Sequence, residues 1–205
     1  MTMTSGLTDQ LAYQAPAGTR WRYNTTAYSR TRDALAKASG KSANELTREW
    51  LTGRIGMSDS RWAQRPGAQR DPQQNQLGFA TTARDLARLG LLVLAEGDWN
   101  GQAVLNDKAF LKESLSPSQR LNPSYGYLWW LNGQKRPAQG RRKAASSMIP
   151  NAPDDLVAAN GALGRRLWVA PSLDLVVTRL GDTPGQGFDN QFWKLMMEAA
   201  PPRQP

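Results

Sequence analysis

Residues 157–181 read VAANGALGRRLWVAPSLDLVVTRLG. RRLWVA at 165–170 and LDLVVTRL at 173–180 are short, rich in β-branched and aromatic residues, and separated by a Pro171–Ser172 turn. That pattern predicts an antiparallel hairpin. LVAANGA at 156–162, with Gly161 near its end, lies just before it and predicts a neighbouring strand. Upstream, YGYLWWL at 125–131 is aromatic and bounded by turn residues, and predicts another. On that strand Trp129 and Trp130 would alternate, one toward the core and one outward.

The remainder of the chain has helical spacing. Tyr28 to Ser39 predicts a helix with Tyr28, Leu35 and Ala38 buried and Gly40 as its stop. Ser42 and Glu45 stand in capping-box spacing ahead of a second helix, with Leu46, Trp50 and Leu51 as its apolar stripe and Gly53 at its end. Residues 54–78, full of Pro, Gln, Asn and Gly, predict an irregular surface segment. Thr82 to Ala95 predicts a helix, with Thr82 and Asp85 as a capping pair and Leu86, Leu89, Leu92 and Val93 on one face. Short helices follow at Asp107 to Leu115 and Phe188 to Ala200, the latter with Phe192, Leu195 and Met196 inward. Helices first, strands next and a closing helix make an α+β order. The reading divides the chain into a mostly helical region at 1–124, strands plus a C-terminal helix at 125–200, and a disordered tail at 201–205. So few strands leave a sheet edge open unless another segment covers it, and the chain reads as the later part of a larger fold.

Composition narrows the chemistry. The 205 residues are 40% hydrophobic and include eight tryptophans, enough for a substantial core. There is no cysteine and no histidine, which excludes disulfides, thiolate nucleophiles, His-based metal sites and a Ser-His-Asp triad within the chain. Proton transfer falls to Tyr, Lys or a carboxylate. The net charge of +9 raises nucleic-acid binding. The arginines, however, are scattered along helices near acids, as in Arg84, Asp85 and Arg88 or the Asp33–Lys37 spacing. The dense run QKRPAQGRRK at 134–143 reads as a solvated loop, so no nucleic-acid partner is expected. No apolar run has the length of a membrane span, and MTMTSGLTDQ has no signal-peptide pattern.

RWRYNTTAYS at 20–29 is either a helix entrance or half of an active site. Taken with MTMTSGL at 1–7, APAGTRWRYNTTAYS at 15–29, GFATTARDLARLGLLVLAEGDWNGQAVL at 78–105, YGYLWWL and the 157–181 stretch, it resembles the serine β-lactamase and penicillin-binding-protein-like hydrolases. The likeness is strongest to their class C and family VIII esterase branch. The resemblance implies a β-lactamase/transpeptidase-like fold, here incomplete, and places Tyr23 at the tyrosine of a Y-x-N motif as general base or acid. Neighbouring cations favour phenolate. Thr25 stands where that motif has Asn, and offers only a hydroxyl. Asn24, Thr25 and Thr26 serve equally as caps of the following helix. Ala159, Asn160 and Gly161 fall on the family's K-T-G-like segment, without its lysine. Gly161 on an edge strand would admit substrate backbone, and Ala162 would present an oxyanion-hole N–H. Arg165 or Arg166 would replace the missing cation toward a substrate carboxylate, or simply face water.

No serine in the chain is followed by lysine three positions later, so the family's S-x-x-K nucleophile is not in this sequence. The reading is therefore a fragment of a serine hydrolase, cleaving esters, amides or D-amino-acid peptides through an acyl-serine when complete and inactive alone. It would need no cofactor or metal, and its partners would be a small acyl or peptide substrate and a missing N-terminal segment or partner chain. The alternative is a non-catalytic binding or assembly module that keeps the cleft walls. Full-length members of the family type would be periplasmic or secreted; the chain as a whole product would be cytoplasmic.

Overall fold

The structure is a computed structural model and describes residues 15–65, 76–135 and 147–199. MTMTSGL, the basic residues at 136–143, Ala200 and the 201–205 tail lie outside the described residues. The chain divides after Asp85 into two compact units.

The first unit opens with α1, Thr25–Ser39. It starts three residues before the expected Tyr28 because the Asn24 carboxamide accepts the Ala27 N–H at 3.0 Å, so Asn24 caps it. Gly40, at φ 68°, ends it as expected. Its buried residues are Thr26 and Ser29, whereas Leu35 and Ala38 are exposed. The expected stripe was thus placed on the wrong face: position 35 lies roughly opposite 26 and 29 at 3.6 residues per turn. Asp33 pairs with Arg30 and Arg32 rather than with Lys37.

The capping box before α2, Ala43–Thr47, is present in both halves. The Ser42 side-chain and backbone hydrogen bonds, ahead of Arg48 and Lys41, hold the Glu45 carboxyl below its ordinary range. Its stabilisation is present above the unfolded carboxyl pKa and lost as pH falls through the lower folded value. After Thr47 the helix widens into a π turn, Arg48–Thr52, with the Gly53 N–H reaching the Arg48 carbonyl at 2.9 Å. The extra residue rotates the apolar stripe. Leu46, Thr52, Ile55 and Met57 are buried, while Trp50 is exposed, contrary to the ordinary helical spacing.

Residues 54–78 are not wholly irregular. β1, Arg61–Gln64, pairs antiparallel with β2, Leu77–Ala80, and Trp62 meets Phe79 directly across the ladder with ring centroids 5.2 Å apart. An aromatic cross-strand pair of this kind offsets the weak local propensity.

The helix α3 spans Ala83–Leu94. Thr82 accepts the Asp85 N–H at 3.2 Å, a bond of the expected capping pair, and Asp85 also uses its carboxylate. Buried at 1% exposure, it accepts the Asp59 N–H and the Ser60 hydroxyl, both at 2.8 Å.

In the second unit, two-residue strands β3, Asp98–Trp99, and β4, Gln102–Ala103, form a tight ladder. They precede α4, Lys108–Ser114, which Asp107 caps. The main sheet has the order β5–β6–β7–β8, all antiparallel, with β5 Trp130–Leu131, β6 Val157–Asn160, β7 Arg166–Ala170 and β8 Leu175–Arg179. The expected β7–β8 hairpin forms. Asp155 fixes its turn by accepting the Ser172 N–H and hydroxyl.

YGYLWWL is a turn, not one strand. Gly126 N–H bonds the Trp129 carbonyl at 2.9 Å, Leu128 sits at φ 68°, and only Trp130–Leu131 join the sheet. Trp129 packs with α3 on one sheet face and Trp130 with the opposite cluster, so neither tryptophan points out. The alternation holds, but both faces are covered.

Leu167, Val169, Val157 and Val176 meet Leu86, Leu89 and Val93 of α3, while Trp168, Ala158 and Val177 meet α5, Phe188–Ala199. Trp168 and Trp193 are at most 1% exposed, and their indole N–H groups are buried without partners among the described residues. Ring burial stabilises by roughly 4 kcal/mol each and outweighs a loss of about 1–3 kcal/mol for each unmade bond. On α5 the inward face is Phe192, Trp193 and Met196; Leu195 is exposed, because two residues from Trp193 turns it most of the way round the helix.

Asn132, 1% exposed, pins the segment before β6. Its amide donates to the Ile149, Ala152 and Pro153 carbonyls, and its oxygen accepts the Ile149 N–H and the Ser147 hydroxyl.

A Cβ on Gly126 would lie 2.2 Å from the Ser114 carbonyl oxygen and 2.8 Å from that of Ser116, both backbone atoms. Gly126→Ala is expected to cost about 2 kcal/mol and lower Tm by roughly 4–8 °C in calorimetry. Gly185→Ala, which meets nothing within 4 Å, is expected to shift stability by less than about 0.5 kcal/mol.

Candidate active-site segments

Tyr23 lies in the first unit, partly buried, two residues before α1. The cap at Asn24 fixes the direction in which the chain enters the helix, and the Tyr23 ring packs edge-on against Tyr28, with centroids 5.4 Å apart at 74°. Arg65 is within electrostatic reach. Burial first, then repulsion from Arg32, hold the Arg65 guanidinium below its ordinary range, and Tyr23 opposes them. Arg32 itself pairs with Asp33 at 2.8 Å and lies over the Trp62 ring at 5.1 Å. A cation from beyond β1 thus comes within electrostatic reach of Tyr23. Forty-two positions separate the two residues, and no sequence spacing signals the pairing. Thr25 is the first residue of α1, and its side chain lies outside the described residues. Asn24 is occupied as the helix cap, so its amide is turned to the backbone.

The other segment lies in the second unit. Asn160 is the last residue of β6, in register with Arg166, and its side-chain oxygen is buried without a hydrogen-bond partner among the described residues. β6 is interior to the sheet, not an edge, since it pairs with both β5 and β7. β5, however, reaches only Val157 and Ala158, so Ala159 and Asn160 are laddered on the β7 side alone. The edge expected around Gly161 exists locally because β5 is two residues long.

Gly161 follows, its N–H bonded to the Arg165 carbonyl at 2.9 Å. Ala162 then opens a 3-10 turn, Ala162–Gly164, where the first N–H groups have no acceptor within the turn. Leu163 and Gly164 both take left-handed backbone, at φ 59° and 69°. For leucine this conformation is uncommon and strained, and the surrounding bonds hold it. One is the Arg179 guanidinium, which donates to the Gly164 carbonyl at 2.9 Å.

The two arginines separate cleanly. Arg166 is ion-paired, Nε to Asp189 Oδ2 at 3.0 Å, and donates to the Arg165 carbonyl. Arg165 is exposed. Of the two, Arg165 is the one presented outward, while Arg166 ties β7 to α5. Among the described residues no group of three or more His, Cys, Asp or Glu stands close enough to hold a metal ion, and no helix is long and apolar enough to cross a membrane.

Removing Arg166 would leave a half-buried carboxylate whose second oxygen is already buried and unpartnered. Arg166→Met is expected to lower unfolding stability by about 1–2 kcal/mol after allowance for partial exposure, and Arg165→Ala by less than about 0.5 kcal/mol, in urea titrations.

The sequence model of the beta-lactamase family matches residues 1–199. No curated protein matches the chain significantly. Among solved structures, the chain is similar to a protein described as a 6-aminohexanoate-dimer hydrolase from Bacillus anthracis, with TM-score 0.69 and 21% identity, covering 92% of this chain and 46% of that one. It is similar to a beta-lactamase described from Bacteroides dorei, with TM-score 0.63 and 14% identity over 93% of this chain and 61% of that one. A beta-lactamase from Mycobacterium bovis gives TM-score 0.61 and 18% identity over 90% and 65%. The chain thus spans between about half and two thirds of the length of these structures, which share its fold. With the family match extending over nearly all 205 residues, the chain belongs to the beta-lactamase family and holds part of its domain.

Proposed function

We propose that this chain is part of a serine hydrolase that cleaves esters, amides or D-amino-acid peptides through an acyl-serine, and that it does not turn over alone. The observation that carries the reading is Tyr23 with Arg65 in electrostatic reach, at the family's tyrosine position and in a chain with no histidine or cysteine to act instead. Tyr23 would serve as the proton acceptor and donor of the complete site. In the complete site the serine oxygen would bond to the substrate carbonyl carbon while its proton passes to Tyr23. The oxyanion would be met by the Ala162 N–H, and as the C–O or C–N bond breaks the leaving group would take the proton from Tyr23. Water would then release the acyl group. Substrate backbone would lie against Asn160 and Gly161 at the end of β6, and the exposed Arg165 would meet a substrate carboxylate. Thr25 would contribute at most a hydroxyl. The S-x-x-K serine would come from a segment outside this sequence.

A second reading, a non-catalytic binding or assembly module, is favoured by β8, which among the described residues is laddered on one side only.

Purified 1–205 is expected to hydrolyse neither p-nitrophenyl butyrate nor nitrocefin above an albumin control, and to gain no mass with a fluorophosphonate or penicillin probe. Fusing an upstream in-frame segment bearing S-x-x-K should create both signals, and Tyr23→Phe in that protein should then lower kcat by at least about 100-fold. Stoichiometric labelling of a serine within 1–205 overturns the hydrolase-part reading. A fused protein that folds but stays silent favours the assembly module.

A further inference from the structure

The π turn in the first unit has a second consequence. Together with the loop after it and the start of β1, it walls a cleft of about 490 Å³. Asn44, Arg48, Gly53, Met57, Ser58 and Arg61 are among its lining residues. Arg48 and Arg61 are its charged lining residues, and no acidic residue lines it among the described residues.

Three of the nearby acids are committed elsewhere, while the exposed Asp59 stands between the lining residues Ser58 and Ser60. Glu45 closes the capping box on Ser42, Glu49 pairs with Lys41, and Asp85 is occupied by Asp59 N–H and Ser60. Most of the other polar wall groups are also spent. Asn44 brackets the Trp62 backbone with both ends of its amide, and the Thr47 hydroxyl lies between the Ala43 carbonyl and the Trp62 indole N–H. The Arg48 and Arg61 guanidiniums and the exposed Ser58 hydroxyl remain as donors, with no hydrogen bond or salt bridge to another described residue. The shape depends on the backbone: a Cβ on Gly53 would stand 2.6 Å from the Arg48 carbonyl oxygen, so glycine is what lets the turn close as a π turn.

We propose that this cleft is an anion-binding site for a compact oxyanion, a phosphate or a carboxylate, gripped by Arg48 and Arg61 with Ser58 as a neutral donor. Guanidinium forks match both groups with paired charge-assisted bonds, and although Arg48 lies within electrostatic reach of Glu45, neither arginine is held in a salt bridge among the described residues. The site is independent of the hydrolase reading, since none of its residues belongs to the candidate active-site segments.

Inorganic phosphate and, separately, succinate are titrated calorimetrically into 1–205 at low ionic strength. Saturable one-site binding of at least one of them is expected, weakened at least about 10-fold by Arg48→Gln and by Arg61→Gln and unchanged by Arg84→Gln, which removes the same charge outside the cleft. Which of the two anions saturates identifies the source of the oxyanion. Circular-dichroism melts confirm that each variant is folded; because both arginines are exposed, folding should be retained, and Arg48→Lys serves as a second folded variant with the charge kept but the fork lost. Absence of saturable binding by either anion, or equal weakening by Arg84→Gln, overturns the proposal.

Discussion

The second unit depends on one close approach, that of α3 to the sheet at Gly90. An ideal Cβ there would stand 2.5 Å from a Val176 methyl and 2.8 Å from a Leu167 methyl, so with glycine the helix lies against β7 and β8 without displacing those side chains. With α3 seated on one face, Leu167 and Val169 lose all solvent exposure, and Trp168 and Ala170, pointing the other way, require a second cover. α5 supplies it through Phe192 and Trp193, whose rings contact Trp168 at centroid distances of 5.4 and 5.7 Å. A strand buried on both faces and gripped between two helices is rigid, and β7 is such a strand.

That rigidity is what makes the strained turn at 162–164 tenable. Leu163 holds left-handed backbone because the chain on both sides is fixed: β6 runs in from a register shared with β7, and Arg179, reaching from β8, holds the Gly164 carbonyl. Gly164 is itself confined, since a Cβ there would meet Pro184 at 2.3 Å. The loop after β8 thus packs on the turn after β6, and Arg166 with Asp189 ties the same end of the sheet to α5. Strain concentrated at one strand end, next to a buried and unpartnered Asn160 oxygen, is the pattern of a segment whose conformation is over-determined by its surroundings.

In the first unit the organising feature is the widened helix turn. One inserted residue takes Trp50 out of the core and brings Thr52, Ile55 and Met57 in, and it opens the arginine-lined cleft as it does so. The same unit carries Tyr23, held between its Tyr28 contact and the Arg65 charge. Both features place cations near concave or aromatic surface without consuming them in exposed ion pairs, a use of the net +9 charge that differs from a phosphate-tracking face.

How much of this was legible follows from the range of each interaction. The Ser42–Glu45 box, the Gly40 and Gly53 helix ends, the α3 stripe and the β7–β8 hairpin are set by residues within a few positions of one another, and period and cap chemistry in the sequence determined them. The family likeness was legible for a similar reason, as ordered local stretches spread along the chain. The exposed Leu35, Trp50 and Leu195, the tight turn within YGYLWWL, the β1–β2 pairing, the double cover of Trp129 and Trp130, and the Arg65 charge beside Tyr23 were not legible. Each depends on which distant segment lies against it, or on a one-residue change of helical phase that no local propensity encodes. Tertiary structure decided those because burial and electrostatic reach are properties of three-dimensional neighbours, whereas caps and periods are properties of the chain itself.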